Sequence, residues 1–436
     1  MNTAQRSIIA ILTLVLVLPA TFSNRVIAQD QITVRMWMHA DPLRESLDKE
    51  LIAEFEKNNP SIKVEYTTFP DVDWDRTLTN KFNSKTGPDL FSQATFSIGQ
   101  LQAQKLLAPV DSEAAGYKDQ DAVYKAYAYG GTLLAGATFD GTLYGLPTEV
   151  NTYACYTNDD LWKKARLDPN KDFPTTWEAM QTTAEKLTVR DSSGALTQRG
   201  FDFPWGNSVF MLLVFNPMVQ QLGSNMIDET GNSAAINTPE VKKVLGYWND
   251  WANTWKLGGP QYPFTRDAFL AGKLAIDCDF GNWGAAEMKA AKINYSIHPI
   301  PVWKDAVGKN AFSIYAFYYL VNSNTDPKVQ QAAWKLAGYL TSKPDRYWDS
   351  AELFQGKADY VASDAFKQTQ ILPIFLQEMS VSTYHPLIAS FYEVADALMY
   401  ARDQVVTSHQ AIDDVLGVAQ NTVTSILAKN KRMALK

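Results

Sequence analysis

Hydrophobic positions near the start of the chain change their period twice. Ile32, Val34 and Met36 recur at every second position, which is the period of a strand. Between positions 43 and 55 a large apolar residue recurs every fourth position, and residues 62–66 alternate again. The predicted apolar face of the intervening helix is Leu43, Leu47, Leu51 and Phe55. Because a strand, a helix and a strand with short links are typical of a parallel sheet, the pattern predicts an α/β fold.

A second hydrophobic run, Val150–Tyr156, has the β-branched and aromatic composition of a buried strand. Glu149, Asn151 and Tyr153 occupy alternate positions, so an extended chain presents them on one face. A carboxylate, an amide and an aromatic ring on one face suit a ligand that is rich in hydroxyl groups. An ordinary strand with a polar face toward solvent is the alternative interpretation.

Residues that follow the predicted strands give further candidates, because ligands of open parallel sheets bind beyond the carboxyl ends of the strands. Trp37, His39 and Asp41 follow the first strand, and Phe91 and Gln93 follow the third. Asp41 has a second explanation, since it stands where it can cap the predicted helix. We therefore expect these five residues near the ligand, with the capping role favoured for Asp41.

Isolated aromatic residues add two more candidates. Trp205 lies in a segment broken by proline, and Trp283 lies between glycines, beside the amide of Asn282. A tryptophan flanked by glycines has few local neighbours to pack against, which favours ligand binding for Trp283. Three other tryptophans recur at helical spacing and are predicted to be core residues, namely Trp248, Trp251 and Trp255.

The composition limits the class of protein. A chain of 436 residues is expected to form two or three domains, and 46% hydrophobic with 12% aromatic residues is enough for sizeable cores. The formal net charge of −7 argues against nucleic acid and against an anionic membrane surface as partners.

The N-terminus has the pattern of an export signal. Arg6 precedes a short apolar run at 8–18, and Val26–Ala28 forms a small-residue cleavage site. We therefore expect a cleaved signal peptide at residues 1–28 and a mature protein in the periplasm or another extracytoplasmic space. A signal anchor that stays uncleaved is the alternative.

The two cysteines are too few for a disulfide scaffold, and their spacing does not match a zinc site. Cys155 and Cys278 each lie in an apolar run that resembles a strand, so the expectation is two buried, reduced thiols. A disulfide bond stays open as the alternative if the two strands adjoin in an oxidising compartment. No cysteine lies near the predicted cleavage site, which excludes a lipid anchor there.

Catalytic and metal-binding patterns do not emerge from the sequence. Asp277 and Asp279 flank Cys278, but such a pair is expected at a solvated strand edge, whereas a glycosidase needs two carboxylates in one cleft. Nucleotide-binding glycine loops, Ser-His-Asp orders and metal-helix motifs do not occur, and the four histidines form no spacing pattern. We expect binding without catalysis, and neither a metal nor a cofactor.

The order of several motifs resembles that of family 1 extracellular solute-binding proteins, the sugar-capturing components of ABC importers, which include the maltose-binding protein. The resemblance covers nearly the whole mature chain. The motifs are Leu51–Glu56 with Ile62–Val64, Gly87–Leu90, Leu143–Pro147 with Tyr156–Leu161, Thr176–Glu178, Phe269–Ile276 with Gly281–Trp283, and Gln331–Leu336.

The resemblance implies a two-lobed periplasmic-binding-protein fold of type II. Each lobe is expected to be a mainly parallel sheet flanked by helices, and crossing segments are expected to join the lobes. The implied N-terminal lobe comprises residues 30–147 and 303–345, and the C-terminal lobe comprises residues 148–302 and 346–436.

The resemblance also implies a site and a function. Glu149 matches the acidic position at the first crossing, and Trp283 matches the aromatic residue that stacks on the sugar. Tyr315 belongs to the candidate set, although the family's usual glycine pair is missing around it, and Cys155 replaces a usual aliphatic or aromatic residue. The implied function is capture of a di- or oligosaccharide and its delivery, by a monomer, to the permease subunits of an ABC importer. Alternatives are a non-sugar solute (glycerol phosphate, a polyamine or a metal) and a secreted glycosidase.

Overall fold

The computed structural model describes residues 31–434, apart from 71–73, 75, 76, 79, 83, 85, 229, 230, 310, 311 and 370. The predicted signal peptide therefore lies outside the described residues. The strands are β1 Ile32–His39, β2 Ile62–Phe69, β3 Leu90–Ala94, β4 Thr138–Phe139, β5 Thr142–Leu143, β6 Gly145–Asn151, β7 Tyr153–Asn158, β8 Val189–Arg190, β9 Leu196–Phe201, β10 Leu274–Gly281, β11 Tyr295–His298 and β12 Tyr315–Val321. The helices are α1 Pro42–Asn58, α2 Thr95–Ala103, α3 Gln120–Lys125, α4 Gly131–Leu134, α5 Asp159–Lys164, α6 Pro169–Asp172, α7 Trp177–Leu187, α8 Ser208–Gln220, α9 Pro239–Asn253, α10 Thr265–Leu270, α11 Gly284–Ala291, α12 Pro327–Leu340, α13 Pro344–Ala351, α14 Ala358–Ala362, α15 Asp364–Gln368, α16 Leu372–Val381, α17 Phe391–Val406 and α18 Ile412–Ala434.

Two separate sheets carry the architecture. The first has the strand order β2-β1-β3-β12-β6, and the second has the order β11-β7-β10-β9-β8. The predicted strand, helix and strand at the start of the chain are β1, α1 and β2, and β1 pairs in parallel with β2 and β3. The α/β class expected from the sequence is therefore what the structure has.

Both sheets are mixed rather than mainly parallel, which corrects the expectation. Strand β12 runs antiparallel to β3 and β6, and β7 runs antiparallel to β10 and β11. The reason is the connectivity, because β7 and β12 each enter their sheet directly after the chain has left the other sheet. A strand that arrives this way need not run in the direction that a βαβ connection imposes.

The chain passes between the sheets at Thr152, which separates β6 from β7. The predicted single strand at 150–156 is thus two strands in two different sheets. The fully buried Thr152 hydroxyl donates to the carbonyl oxygen of Phe312 at 3.2 Å and lies 3.4 Å from the hydroxyl of Ser382. Residues 312 and 382 belong to later parts of the chain, so three passages of chain meet at this threonine.

Two large apolar cores correspond to the two sheets. One core packs around β1, β3, β6 and β12, and the other contains Trp248 and Trp251, as predicted, with Trp255 half-buried beside them. Leu353, Phe354, Tyr360 and Phe366 pack into the first core, although the sequence assigns residues after 345 to the second lobe. The exact lobe boundaries stay a prediction, but these four side chains belong with the first sheet because their apolar surface is buried there.

The buried face of α1 differs from the predicted apolar face at its first turn. Leu43 is 54% exposed, whereas Arg44 and Asp48 are fully buried beside Leu47, Leu51 and Phe55. The buried arginine and aspartate form an ion pair with a 4.0 Å separation between Nε and Oδ2. Burial of charged groups of this kind requires partners elsewhere in the fold, which hydrophobic periodicity does not reveal.

Glu378 on α16 provides a test of the packing near the passage from β11 to β12. Its side chain is buried and accepts the backbone N–H of Ile300 at 3.1 Å. Burial raises the pKa of Glu378 to about 7 from 4.5, so the folded protein binds more protons than the unfolded chain between these pH values. Its contribution to stability is therefore present below about pH 4.5 and is lost as the pH rises through about 7.

Glu378→Gln keeps an acceptor for Ile300 but cannot ionise. We expect this variant to be more stable than wild type at pH 8, and its gain in the free energy of unfolding should be smaller at pH 5. The difference should be on the order of 2 kcal/mol, and urea denaturation at both pH values measures it. The control is the exposed Glu65→Gln, which should change stability by less than about 0.5 kcal/mol at either pH. An equal effect of Glu378→Gln at both pH values would contradict the assignment.

Candidate functional site

Four side chains form a polar group at the end of the first sheet, which we call the Glu149 cluster: His39, Arg44, Glu149 and Asn151. The Asn151 amide donates to Glu149 Oε2 at 3.1 Å, and Arg44 Nη1 lies 3.8 Å from Glu149 Oε1. Arg44 Nη2 also donates to the carbonyl oxygen of His39 at 2.6 Å. Strands β1 and β6 and the first turn of α1 place these groups together.

The imidazole of His39 is neutral at physiological pH. Burial lowers the pKa of His39 well below 6.5, and the positive charge of Arg44 acts in the same direction. Its ring lies 4.5 Å from the ring of Phe317, measured between centroids. The cluster therefore contains a neutral imidazole next to a charged guanidinium and carboxylate.

Hydrogen-bonding capacity in the Glu149 cluster is not fully used. Among the described residues, no hydrogen-bond partner exists for the buried atoms His39 Nδ1, Arg44 Nε, Arg44 Nη1 and Asn151 Oδ1. The two Arg44 nitrogens lie 4.0 and 3.8 Å from the carboxylates of Asp48 and Glu149, which balance the charge without forming a hydrogen bond. A buried polar group without a hydrogen bond costs about 1–3 kcal/mol. Donors and acceptors from a ligand would remove this cost, so the cluster is suited to a polar ligand with several hydroxyl groups.

A second group, which we call the Trp283 cluster, contains Tyr153, Arg266, Asp279, Trp283 and Tyr315. The indole Nε1 of Trp283 donates to the Tyr315 hydroxyl at 2.6 Å. The guanidinium of Arg266 lies 4.7 Å from the centre of the Trp283 ring and forms an ion pair with Asp279, with 3.1 Å between Nε and Oδ2. The half-buried indole is thus held at its nitrogen and on one ring face.

Tyr315 joins the two clusters. Its Cα atom pairs with that of Asn151 between β12 and β6, and its ring lies 5.6 Å from the ring of Tyr153 at the start of β7. Burial raises the pKa of the Tyr315 hydroxyl, Arg266 lowers it, and the charge of Glu149 raises it further. The polar Glu149 cluster and the aromatic Trp283 cluster therefore form one continuous site at the junction of the sheets.

Three predicted residues make contacts within the fold. Asp41 caps α1 by accepting the backbone N–H groups of Leu43 and Arg44, each at 3.1 Å, which was the favoured interpretation. Phe91 is fully buried against Phe82, with 5.2 Å between ring centroids. Trp37 is half-buried and packs on Phe69, with 4.9 Å between the rings.

Three further candidates also have structural contacts. Gln93 Oε1 accepts the backbone N–H of Ala94 at 2.8 Å. Asn282 is fully buried, and its amide bonds the backbone of Val150 and Thr152 at 3.4 Å each, which ties the end of β10 to the crossing. Trp205 packs within the second core, where its Nε1 donates to Asp202 at 2.6 Å and its ring lies 5.1 Å from that of Trp248. All three side chains are buried, and these contacts lie within the fold.

Neither the hydrophobic pattern nor the motif order pointed to Arg44, Arg266 or the role of Asp279. Asp277 and Asp279 are buried rather than at a solvated edge, so that expectation was wrong. Burial and the neighbouring Asp279 raise the pKa of Asp277 to about 8, and burial also raises the pKa of Asp279. The sequence did contain a signal for buried acids, namely two aspartates at alternate positions of an otherwise apolar strand. Acidic side chains inside a hydrophobic run require partners elsewhere in the fold.

The two cysteines form a disulfide bond between β7 and β10, which corrects the expectation of reduced thiols. Their predicted burial is confirmed, with exposures of 0% for Cys155 and 2% for Cys278. The two strands run next to each other in antiparallel orientation, and this adjacency is not visible in the sequence.

We therefore expect thiol titration of the denatured, unreduced protein to detect no free thiol. Denaturation in the presence of a reductant should release two thiols per chain, since the sequence contains two cysteines. Two free thiols without reductant would contradict the disulfide bond.

A cavity of about 570 Å³ elsewhere in the second lobe is a weaker candidate. Its lining includes Arg199, Tyr262 and Lys273, but Arg199 is already paired with Asp202. None of its lining side chains has a buried polar atom without a hydrogen-bond partner among the described residues. Unmet polar groups distinguish the Glu149 cluster from this cavity.

Comparison with known proteins identifies the family of this chain. The family model for bacterial extracellular solute-binding protein matches residues 40–347, which is more than half of the chain. The chain belongs to this family. The family resemblance expected from the motif order is therefore confirmed. Within the described residues of this solute-binding protein, no helix combines the length and the apolarity that crossing a bilayer requires.

Relatives of this solute-binding protein have different named ligands. It is 22% identical over 320 residues to a maltotriose-binding protein of Pyrococcus abyssi, a match that covers 72% of this chain and 63% of the relative. It is also 22% identical over 405 residues to an sn-glycerol-3-phosphate-binding periplasmic protein of Brucella abortus, covering 87% of this chain and 88% of the relative.

Solved structures confirm the two-lobed fold. The ABC substrate-binding protein of Listeria monocytogenes in complex with cycloalternan superposes with a TM-score of 0.76 at 19% identity, covering 92% of this chain and 100% of that chain. The maltose/maltodextrin-binding domain of Bdellovibrio bacteriovorus bound to maltotriose superposes with a TM-score of 0.74 at 19% identity, covering 91% of this chain and 100% of that chain.

Proposed function

We propose that this solute-binding protein captures a di- or oligosaccharide between its two lobes. The observation that carries the proposal is the position of unmet donors and acceptors in the Glu149 cluster beside the indole of Trp283. A sugar offers hydroxyl groups to the first and an apolar ring face to the second. The maltotriose-binding relative and the structure bound to maltotriose support the same class of ligand.

The charges of the site favour a sugar over glycerol phosphate, the solute named for another relative. Arg44 lies near Glu149 and Asp48, and Arg266 is paired with Asp279. Each guanidinium therefore already has a carboxylate partner, and a phosphate dianion would meet negative as well as positive charge. A neutral ligand fits this balance without leaving a buried charge uncompensated.

We further infer that the protein binds its ligand without turnover, delivers it to the membrane permease of an ABC importer and works in an extracytoplasmic location. The carboxylate of Asp279 binds Arg266, and Oδ1 of the Asp277 carboxyl group accepts the backbone N–H of Asp279 at 2.8 Å, so both acids have structural roles. The disulfide bond supports an oxidising compartment, where such bonds persist. The predicted signal peptide at 1–28 agrees with export.

A thermal-shift screen followed by calorimetry tests the proposed function. We expect maltose, maltotriose or another neutral oligosaccharide to raise the melting temperature, because a ligand at a hundred times its Kd adds about 2.7 kcal/mol of stability. Glycerol 3-phosphate should give no shift. Stabilisation by glycerol 3-phosphate alone would overturn the sugar proposal, and release of smaller sugars from the bound oligosaccharide would overturn binding without turnover.

A further inference from the structure

We propose that the disulfide bond between Cys155 and Cys278 positions the ligand-binding side chains of the second lobe. This inference rests on the proposed function, since it concerns the same site. The bond joins the strand that carries Tyr153 to the strand that leads to Trp283. Its role is to hold the aromatic and charged members of the Trp283 cluster in one arrangement.

The pairing of the two strands is irregular at the disulfide bond. Asp277 pairs with Tyr156 and Phe280 pairs with Ala154, and the register shifts between positions 277 and 280. Three steps on one strand thus correspond to two on the other, which defines a bulge. A bulge interrupts the hydrogen-bonded ladder locally, so the covalent bond holds the strands together where the ladder is weakest.

On β10, contacts lead from the disulfide bond to the indole. Cys278 lies between Asp277, whose Oδ1 accepts the N–H of Asp279 at 2.8 Å, and Asp279 itself. Asp279 also holds Arg266, because its carbonyl oxygen accepts Arg266 Nε at 2.7 Å and its carboxylate forms the ion pair. Arg266 in turn covers one face of Trp283 at 4.7 Å. A shift of the bulge would therefore move the groups that orient the indole.

On β7, a second path reaches the same place. Tyr153 lies two residues before Cys155, and its ring is 5.6 Å from that of Tyr315. The hydroxyl of Tyr315 accepts the indole N–H of Trp283 at 2.6 Å. Both strands joined by the disulfide bond therefore act on Trp283, one through Arg266 and the other through Tyr315.

The test compares wild type with Cys155→Ala/Cys278→Ala by calorimetry, using the oligosaccharide that wild type binds. We expect the double variant to bind about tenfold more weakly while staying folded, because a site whose support is loosened loses its productive geometry. Val244→Ala is the matched control, since Val244 is fully buried in α9 within the same core and outside the site. It should keep the wild-type affinity within twofold.

A measurement without ligand tests the positioning directly. The indole N–H of Trp283, assigned with Trp283→Phe, should show a changed chemical shift and faster hydrogen exchange in the double variant and not in Val244→Ala. If the double variant fails to fold, wild type that is denatured and refolded in the presence of a dithiol is used instead. Reduction transfers two electrons and two protons to the bridge, giving two thiols, while the dithiol becomes a cyclic disulfide.

The outcomes separate the two proposals. Unchanged indole exchange together with an affinity within twofold of wild type overturns the positioning role and leaves the proposed function intact. Wild type that binds no oligosaccharide overturns the proposed function, and the indole measurement still decides whether the disulfide bond positions Trp283. Equal losses of affinity in the double variant and in Val244→Ala would show a general effect of stability and would also overturn the positioning role.

Discussion

Replacing Trp283 by alanine should lower the affinity for the oligosaccharide more than tenfold, which corresponds to about 1.4 kcal/mol. The substitution removes the flat apolar surface on which a sugar ring would stack. It also removes the donor to the Tyr315 hydroxyl and the ring beneath Arg266, so the remaining cluster loses its order. Isothermal titration calorimetry of both proteins measures the change.

Trp255→Ala is the control for this prediction. Trp255 is also a half-buried indole of the second lobe, and its ring contacts Tyr247 at 5.2 Å between centroids. Within the described residues, no ring contact joins it to the Trp283 cluster. The Trp255→Ala variant should therefore bind the oligosaccharide as wild type does. If Trp283→Ala binds with wild-type affinity, or if both variants lose the same affinity, Trp283 is not part of the binding site.

Replacing Arg44 by methionine should lower the free energy of unfolding by about 3–5 kcal/mol at pH 7, as removal of one partner from a buried ion pair does. Arg44 is fully buried, and its guanidinium lies 3.8 Å from Glu149 and 4.0 Å from Asp48. Methionine has a similar length and no charge, so two buried carboxylates would lose their positive partner. Urea denaturation measures the difference.

The matched control is Arg346→Met, because Arg346 forms more exposed ion pairs with Glu50 and Glu54. That change should cost less than about 1 kcal/mol. Protonation removes an unpaired negative charge, so the deficit of Arg44→Met should be smaller at pH 5 than at pH 8. A loss equal to that of the control, or a deficit that grows as the pH falls, would contradict the role of Arg44.

Local patterns predicted the first elements correctly. The alternation at Ile32, Val34 and Met36 is strand β1, and Asp41 begins α1 as a side-chain cap. Both features depend on residues within a few positions of each other. The apolar spacing of every fourth residue was misleading at Leu43, because Arg44 and Asp48 of α1 point inward. There Arg44 lies near Glu149 on β6, and Asp48 accepts hydrogen bonds from Tyr66 and Tyr347.

The candidate site was predicted in part. Glu149, Asn151, Tyr153, Trp283 and Tyr315 come together, whereas Trp205 and Phe91 are core residues. An aromatic residue has the same local signature in a core and in a site, since both roles use its apolar surface. Only its neighbours in the fold distinguish them, and for Trp205 these are Asp202 and Trp248.

The sequence by itself determined the class of elements, their order and, through that order, the family. These properties follow from hydrophobic period, caps and turn residues, which act over short distances along the chain. The tertiary structure alone decided the disulfide bond between cysteines 123 positions apart, the mixed sheets and the guanidinium partners of Glu149 and Asp279. The physical reason is that the partners of a buried charge or thiol come from distant parts of the chain and become its neighbours only on folding. The sequence contains no periodic signal for such long-range contacts.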